Sequence, residues 1–120
     1  GVKKLPGLDV ELNQGSETTT YTSTELAQLT TEVTLLLCFE IADADGRFIP
    51  SGNVVVYYDL NPANNSWRTI AGFLDGSTLS NGAINVKRNI TGTLDFQCTS
   101  ELLDVYPGLQ VYLRHIIILG

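Results

Sequence analysis

The side chains best suited to nucleophilic or metal chemistry are scarce: one histidine, His115, and two cysteines, Cys38 and Cys98. A base that activates Ser, Cys or Thr has to be exposed beside its nucleophile, whereas His115 sits inside the most apolar run of the chain. No Gly-x-Ser-x-Gly elbow occurs, and His115 reads as a packed or interface residue. No Cys-x-x-Cys or His-x-x-x-His spacing is present, so a tetrahedral zinc site would have to recruit carboxylates. Asp43, Asp45 and Gly46 have the form of the start of a calcium loop, but Ile49 falls in the region of the fifth ligand and Val54 stands where the closing glutamate belongs. Those two carboxylates are better employed on the backbone of their own turn. Glycoside hydrolysis needs two carboxyl groups at a set separation across strands, and spacing along this chain selects no pair. The residues therefore nominate no catalytic group, no metal and no cofactor, and the expectation is a protein that is not an enzyme.

Surface chemistry offers more. Asn64-Asn65-Ser66 and Asn89-Ile90-Thr91 match the N-glycosylation pattern, which makes Asn64 and Asn89 candidate acceptors. Tyr21, Tyr57 and Tyr112 take the outward parity of their runs, where they suit cross-strand packing, a protein contact or stacking on a carbohydrate. Thirteen acidic against seven basic side chains give a formal charge of −6. Phosphate affinity comes from Lys and Arg, so this balance, with only the pairs Lys3-Lys4 and Lys87-Arg88, argues against nucleic acid as a partner. No window approaches the ~18 consecutive apolar residues of a membrane span.

The elements that must position these groups read as strands. Val33, Leu35, Leu37, Phe39 and Ile41 share one parity, as do Val54, Val56, Tyr58 and Leu60, the period of two of strands with one buried face. Leu36, Cys38 and Val55 add apolar residues on the other parity, which predicts central strands covered in part on both faces. Asp45-Gly46 predicts a hairpin, after which Arg47-Phe48-Ile49 forms a brief strand ended by Pro50, and Gly52 opens the next. Leu8, Val10 and Leu12 predict a short edge strand, and the threonine run from Glu17 to Thr22 an exposed strand or linker. Thr22-Ser23-Thr24-Glu25 fits a capping box with Thr22 as the cap, which predicts one short helix near residues 23–30. Further strands follow around Trp67–Phe73, Ile84–Ile90 and Leu94–Cys98, and Glu101 to Val105 reads as a helical turn. In the last strand Leu109, Val111, Leu113, His115, Ile117 and Leu119 share a parity, leaving Tyr112, Ile116 and Ile118 on the opposite face.

With 43% hydrophobic and 17% charged residues, 120 residues suffice for one core that buries roughly two-thirds of the unfolded surface. The expectation is an all-β, antiparallel β-sandwich of about seven to nine strands with Greek-key or jelly-roll connections, a single domain over 1–120 with 1–7 as a hinge or terminal linker. Gly1 in place of Met fits a processed precursor or a domain of a longer protein. By parity Cys38 lies opposite the main apolar face of its strand while Cys98 shares the parity of Leu94 and Phe96. Two unpaired thiols are favoured over a bridge.

Two family resemblances attach to particular residues. Gly52 to Asn61, followed by Pro62-Ala63, resembles the Gly-led apolar strand and Asp-x-Asx-Pro turn of β-sandwich coat-protein domains of small RNA viruses. Since no basic RNA-binding arm is present, that resemblance implies a protruding or surface domain of a virion. Cys38, Cys98, the segment Asp95-Phe96-Gln97-Cys98 and the segment Gly108-Leu109-Gln110-Val111 resemble an immunoglobulin-like sandwich, although Trp67 lies too far from Cys38 and Phe96 replaces the corner tyrosine. The functional expectation is a structural or recognition domain on a virion, particle, fibre or extracellular surface that self-associates or binds a partner subunit through Tyr57, Tyr112, Ile116 and Ile118. A secreted immunoglobulin-like or carbohydrate-binding module is the alternative.

Overall fold

Val33–Ala42 and Phe48–Leu60 form the hairpin on which the domain is built, β4 and β5. Its turn closes as Asp45-Gly46 predicts. Asp43 N–H donates to the Arg47 carbonyl at 2.8 Å and Gly46 N–H to the Asp43 carbonyl at 3.0 Å, while the Asp43 carboxylate accepts from the N–H groups of Asp45 and Arg47, each at 2.9 Å. Gly46 takes φ +82°, where a Cβ would be strained. The computed structural model describes residues 2–5, 10–12, 17–63, 65–74, 77–88, 92–98, 108 and 110–119, with side chains described outside 49–52 and 69–83. The expected helical turn at Glu101 to Val105 and both candidate glycosylation sites, Asn64 and Asn89, lie outside the described residues.

The other strands are β1 (Lys3–Lys4), β2 (Val10–Glu11), β3 (Thr18–Thr22), β6 (Arg68–Leu74), β7 (Ser77–Arg88), β8 (Thr93–Cys98) and β9 (Gln110–Leu119). They make two antiparallel sheets, an all-β sandwich. One has the order β1-β9-β4-β5 with β2 also paired to β9, and the second the order β3-β8-β7-β6. Both β2 to β3 and β8 to β9 cross between sheets, and β2 lies against β9 while β3 lies against β8. The two terminal arms are thus wound together across both layers, as in Greek-key and jelly-roll sandwiches.

Between the layers the alternating residues meet. Leu35, Leu37, Phe39 and Ile41 of β4, Val54, Tyr58 and Leu60 of β5, and Leu94, Phe96 and Cys98 of β8 are all buried in one cluster. Phe39 and Phe96 join the sheets edge-to-face, with centroids 6.0 Å apart and planes at 80°, a pairing worth about 0.5–1.5 kcal/mol beyond area burial. Leu5 and Leu12 close the core from the arm, their N–H groups donating to the carbonyls of Ile116 and Val111 at 2.9 and 2.8 Å.

Three expectations need correction. The run from Phe48 to Leu60 is one strand, not two. Its pairing with β4 jumps from Asn53 opposite Glu40 to Phe48 opposite Ala42, so 49–52 bulge against a single residue of β4. An edge position tolerates Pro50 there. The helix, α1 (Thr24–Ala27), is capped by Ser23 and not Thr22, since Thr22 is still in the β3 ladder opposite Thr93. The Ser23 hydroxyl accepts from Glu25 and Leu26 N–H at 3.1 and 3.2 Å and donates to Glu25 Oε2 at 2.9 Å.

The third correction concerns β9. Cys38 opposes His115 but Phe39 opposes Leu113, leaving Arg114 as the extra residue of a bulge. Every side chain past it changes face. Val111 and Leu113 point inward before the bulge, Ile116 and Ile118 after it, while His115 is exposed. Ile116 and Ile118, expected at an interface, are core residues of the single chain, 0% and 6% exposed.

Candidate functional site

The bulge that turns Ile116 and Ile118 inward leaves a composite outer face on the β1-β9-β4-β5 sheet. Three rows cross it. Leu36 stands between Tyr57 and Ile117, Cys38 between Val55 and His115, and Glu40 between Asn53 and Tyr112. Tyr57 is 73% exposed and Val55 60%, whereas Leu36, Cys38, Ile117 and Tyr112 are half-buried by their neighbours.

At the hairpin end of this face a polar and aromatic knot forms. Arg114 Nε donates to Glu40 Oε2 at 2.7 Å, both side chains being partly exposed. The guanidinium lies 4.7 Å from the Tyr112 ring and 5.2 Å from the Phe48 ring, and the two rings meet edge-to-face at 6.5 Å. Tyr112 Oη donates to Gln110 Oε1 at 2.6 Å. Beside the knot a shallow depression of about 310 Å³ is lined by Cys38, Glu40, Asn53, Val55, Arg114 and His115. Of the expected interface residues, Tyr57 and Tyr112 therefore share the outer face with Val55, and Ile116 and Ile118 are removed from it. Tyr21, expected outward, packs against the core, and burial raises its phenol pKa.

Where its side chains are described, the opposite outer face contrasts with this one. Thr20, Asp95 and Lys87 cross the β3-β8-β7 strands together, as do Thr18, Gln97 and Asn85. Thr20 Oγ1 donates to Asp95 Oδ1 at 2.7 Å, Gln97 Nε2 to Thr18 Oγ1 at 3.3 Å, and Lys87 Nζ rests 4.7 Å over the Trp67 ring. Among the described residues these rows are polar and bonded to one another, with Trp67 beside them under Lys87.

Neither thiol is an activated nucleophile. Burial raises the Cys38 pKa and pushes Cys98 up to about 12, so both are protonated at neutral pH. They are unpaired, Cys38 on an outer face and Cys98 in the core. The Asp43 carboxylate serves its own turn, and among the described residues no three His, Cys, Asp or Glu gather as a metal would need. A small polar hollow of about 120 Å³ lined by Glu32, Tyr58, Asp59, Asn61, Ser66 and Arg68 has Thr34 Oγ1 donating to Asp59 Oδ1 at 2.9 Å and Arg68 donating to the Asp59 carbonyl at 3.3 Å. Among the described residues no helix is long and apolar enough to cross a membrane.

Sequence reading missed the Glu40–Arg114 pair and Phe48. The signal present was an opposite charge on each of two otherwise apolar strands; which residues meet depends on the bulge. Comparison with protein-family models, with curated proteins and with solved structures gives no match to this chain.

Proposed function

We propose that this chain is a non-enzymatic structural domain that works by associating with further copies of itself, as a surface or protruding subunit of a virion or of another assembled particle or fibre. The observation that carries the reading is the asymmetry of the described side chains: the rows across β3, β8 and β7 are polar and bonded to one another, whereas the outer face of the other sheet holds Phe48, Val55 and Tyr57, three of the five large hydrophobics exposed among the described residues. Exposed apolar patches of this kind mark contact surfaces. The three long strands β9, β4 and β5, about 4.8 Å apart and ten or more residues long at about 3.3 Å each, present roughly 480 Å², close to the ~500 Å² per partner at the low end of specific interfaces. The virion setting rests on the resemblance of Gly52 to Ala63 to coat-protein domains.

The test is mass against concentration. Light scattering across the micromolar range should show a multiple of the monomer mass, and a monomer at every concentration would contradict the reading.

A second reading, a carbohydrate-binding module, draws on the exposed Tyr57 ring close to a depression that carries Asn53, Glu40 and Arg114, a stacking surface with hydrogen-bonding groups beside it. Glycan-array binding that is lost in Tyr57→Ala, by a protein that stays monomeric, would favour it over self-association.

A further inference from the structure

Strand edges differ in how they are guarded. Natural edges are kept from pairing by charge, proline, bulges or shortness. β1 and β2 split theirs into two-residue pieces carrying Lys3, Lys4 and Glu11, and β6 opens with Arg68 and contains Gly72. β5 lies at the end of its sheet, and among the described residues no strand pairs with its outer edge. Its first part is guarded by the bulge at 49–52 with Pro50. The stretch Asn53-Val54-Val55-Val56-Tyr57-Tyr58 has no charge, proline, glycine or bulge, and it keeps an unbroken ladder with β4 on its other side. Backbone N–H and C=O groups left along such an edge favour a further strand.

We infer that the occupant of this edge is β5 of a second copy, running antiparallel about a two-fold axis through Val56. This rests on the self-association proposed above and specifies its geometry.

The residue pattern selects the register. With Val56 opposite its own copy, Val55 faces Tyr57 of the second copy and Val54 faces Tyr58, so each valine beside the axis meets an aromatic, a favoured cross-strand pair. Asp59 then faces the uncharged Asn53. Moving the axis to Tyr57 would set Asp59 against Val55, and moving it to Val55 would set Gly52 against Tyr58. The chosen register also keeps like parity opposite like parity, so the two cores lie on the same side and the sandwich continues across the axis. An isologous contact of this type closes as a dimer.

Disulfide trapping tests the geometry. Val56→Cys, made together with Cys38→Ser, places the introduced thiols within bridging distance across the axis under mild oxidation. A dimer that is covalently linked in most of its population, with an unchanged melting temperature before oxidation, is the expected result. Because Val56 is half-buried, a mixture of Val55→Cys and Tyr57→Cys, both at exposed positions and each made together with Cys38→Ser because Cys38 stands opposite Val55, serves as a second trap and should give the mixed disulfide. A dimer that neither trap links, but in which an ~8 Å bis-maleimide joins native Cys38 to its copy, would overturn edge pairing and leave face-to-face self-association standing. A chain that is monomeric at every concentration would overturn both.

Discussion

Arg114 Nε lies 2.7 Å from Glu40 Oε2 across the β4–β9 ladder, and it reaches that carboxylate from the one residue of β9 that has no partner in the register. The bulge thus both aims a cation at the outer face and reverses the facing of everything after it. Arg114→Ala removes a partly exposed ion pair and the guanidinium contacts with Phe48 and Tyr112. A loss of about 1 kcal/mol or less is expected, smaller at high salt. Thermal melts at low and high ionic strength check it, and a loss of several kcal/mol would mean that the bulge itself depends on the pair.

Ile116 and Ile118 belong to folding. Replacing both with Thr removes roughly 1.5–3 kcal/mol per side chain and buries hydroxyls, a large part of the 5–15 kcal/mol total for a domain. The expected outcome is a steep fall in melting temperature or failure to fold. A variant that melts normally and loses only its assembly would restore the interface assignment.

Cys98 supplies a pH dependence. Its pKa is raised from 9.0 to about 12 by burial, so above pH 9 the unfolded chain releases a proton that the folded chain keeps. The contribution is complete below pH 9 and is lost as pH rises toward about 12, with a slope of up to about 1.4 kcal/mol per pH unit. Denaturant titrations of the protein and of Cys98→Ala between pH 8 and 11 should differ by this slope, and identical slopes would contradict the assignment.

Two glycines of similar φ should respond differently. Gly46 (φ +82°) has open space around a built Cβ, so Gly46→Ala costs only the left-handed conformation, about 1–2 kcal/mol. Gly92 (φ +85°) would place a Cβ 3.0 Å from Ala27 Cβ and 3.1 Å from the Ser23 carbonyl oxygen, so Gly92→Ala also forces α1 to shift. Equal melting temperatures for the two variants would contradict the close packing of α1 on the β7–β8 connection.

Much of the fold is legible in residue alternation, because a side chain's face is set by period two wherever the ladder is regular. Val33 to Ile41 and Leu94 to Cys98 point inward as their parity predicts, and Asp45-Gly46 turns the chain because Gly tolerates φ > 0. Bulges are the places where the rule stops. Nothing in the composition of Leu113-Arg114-His115 marks an extra residue, yet it decides that Ile116 and Ile118 are core and that His115 is exposed. Pro50 and Gly52 signalled an interruption, and what they interrupt is the pairing of an edge strand, not the strand. Tyr57 was found because no bulge separates it from the turn at Asn61-Pro62, whereas Glu40 and Arg114 meet only through tertiary register.

Self-association through β5 is tested most directly by sedimentation equilibrium of the protein beside Val55→Thr/Tyr57→Thr. Threonine keeps the strand propensity and removes the apolar contact, and neither side chain is part of the buried core. A dimer or larger assembly is expected for the unaltered chain, association weakened by about tenfold or more for the double variant, and melting temperatures of the two monomers within a few degrees. Equal association constants, or two chains that both sediment as monomers, would contradict it.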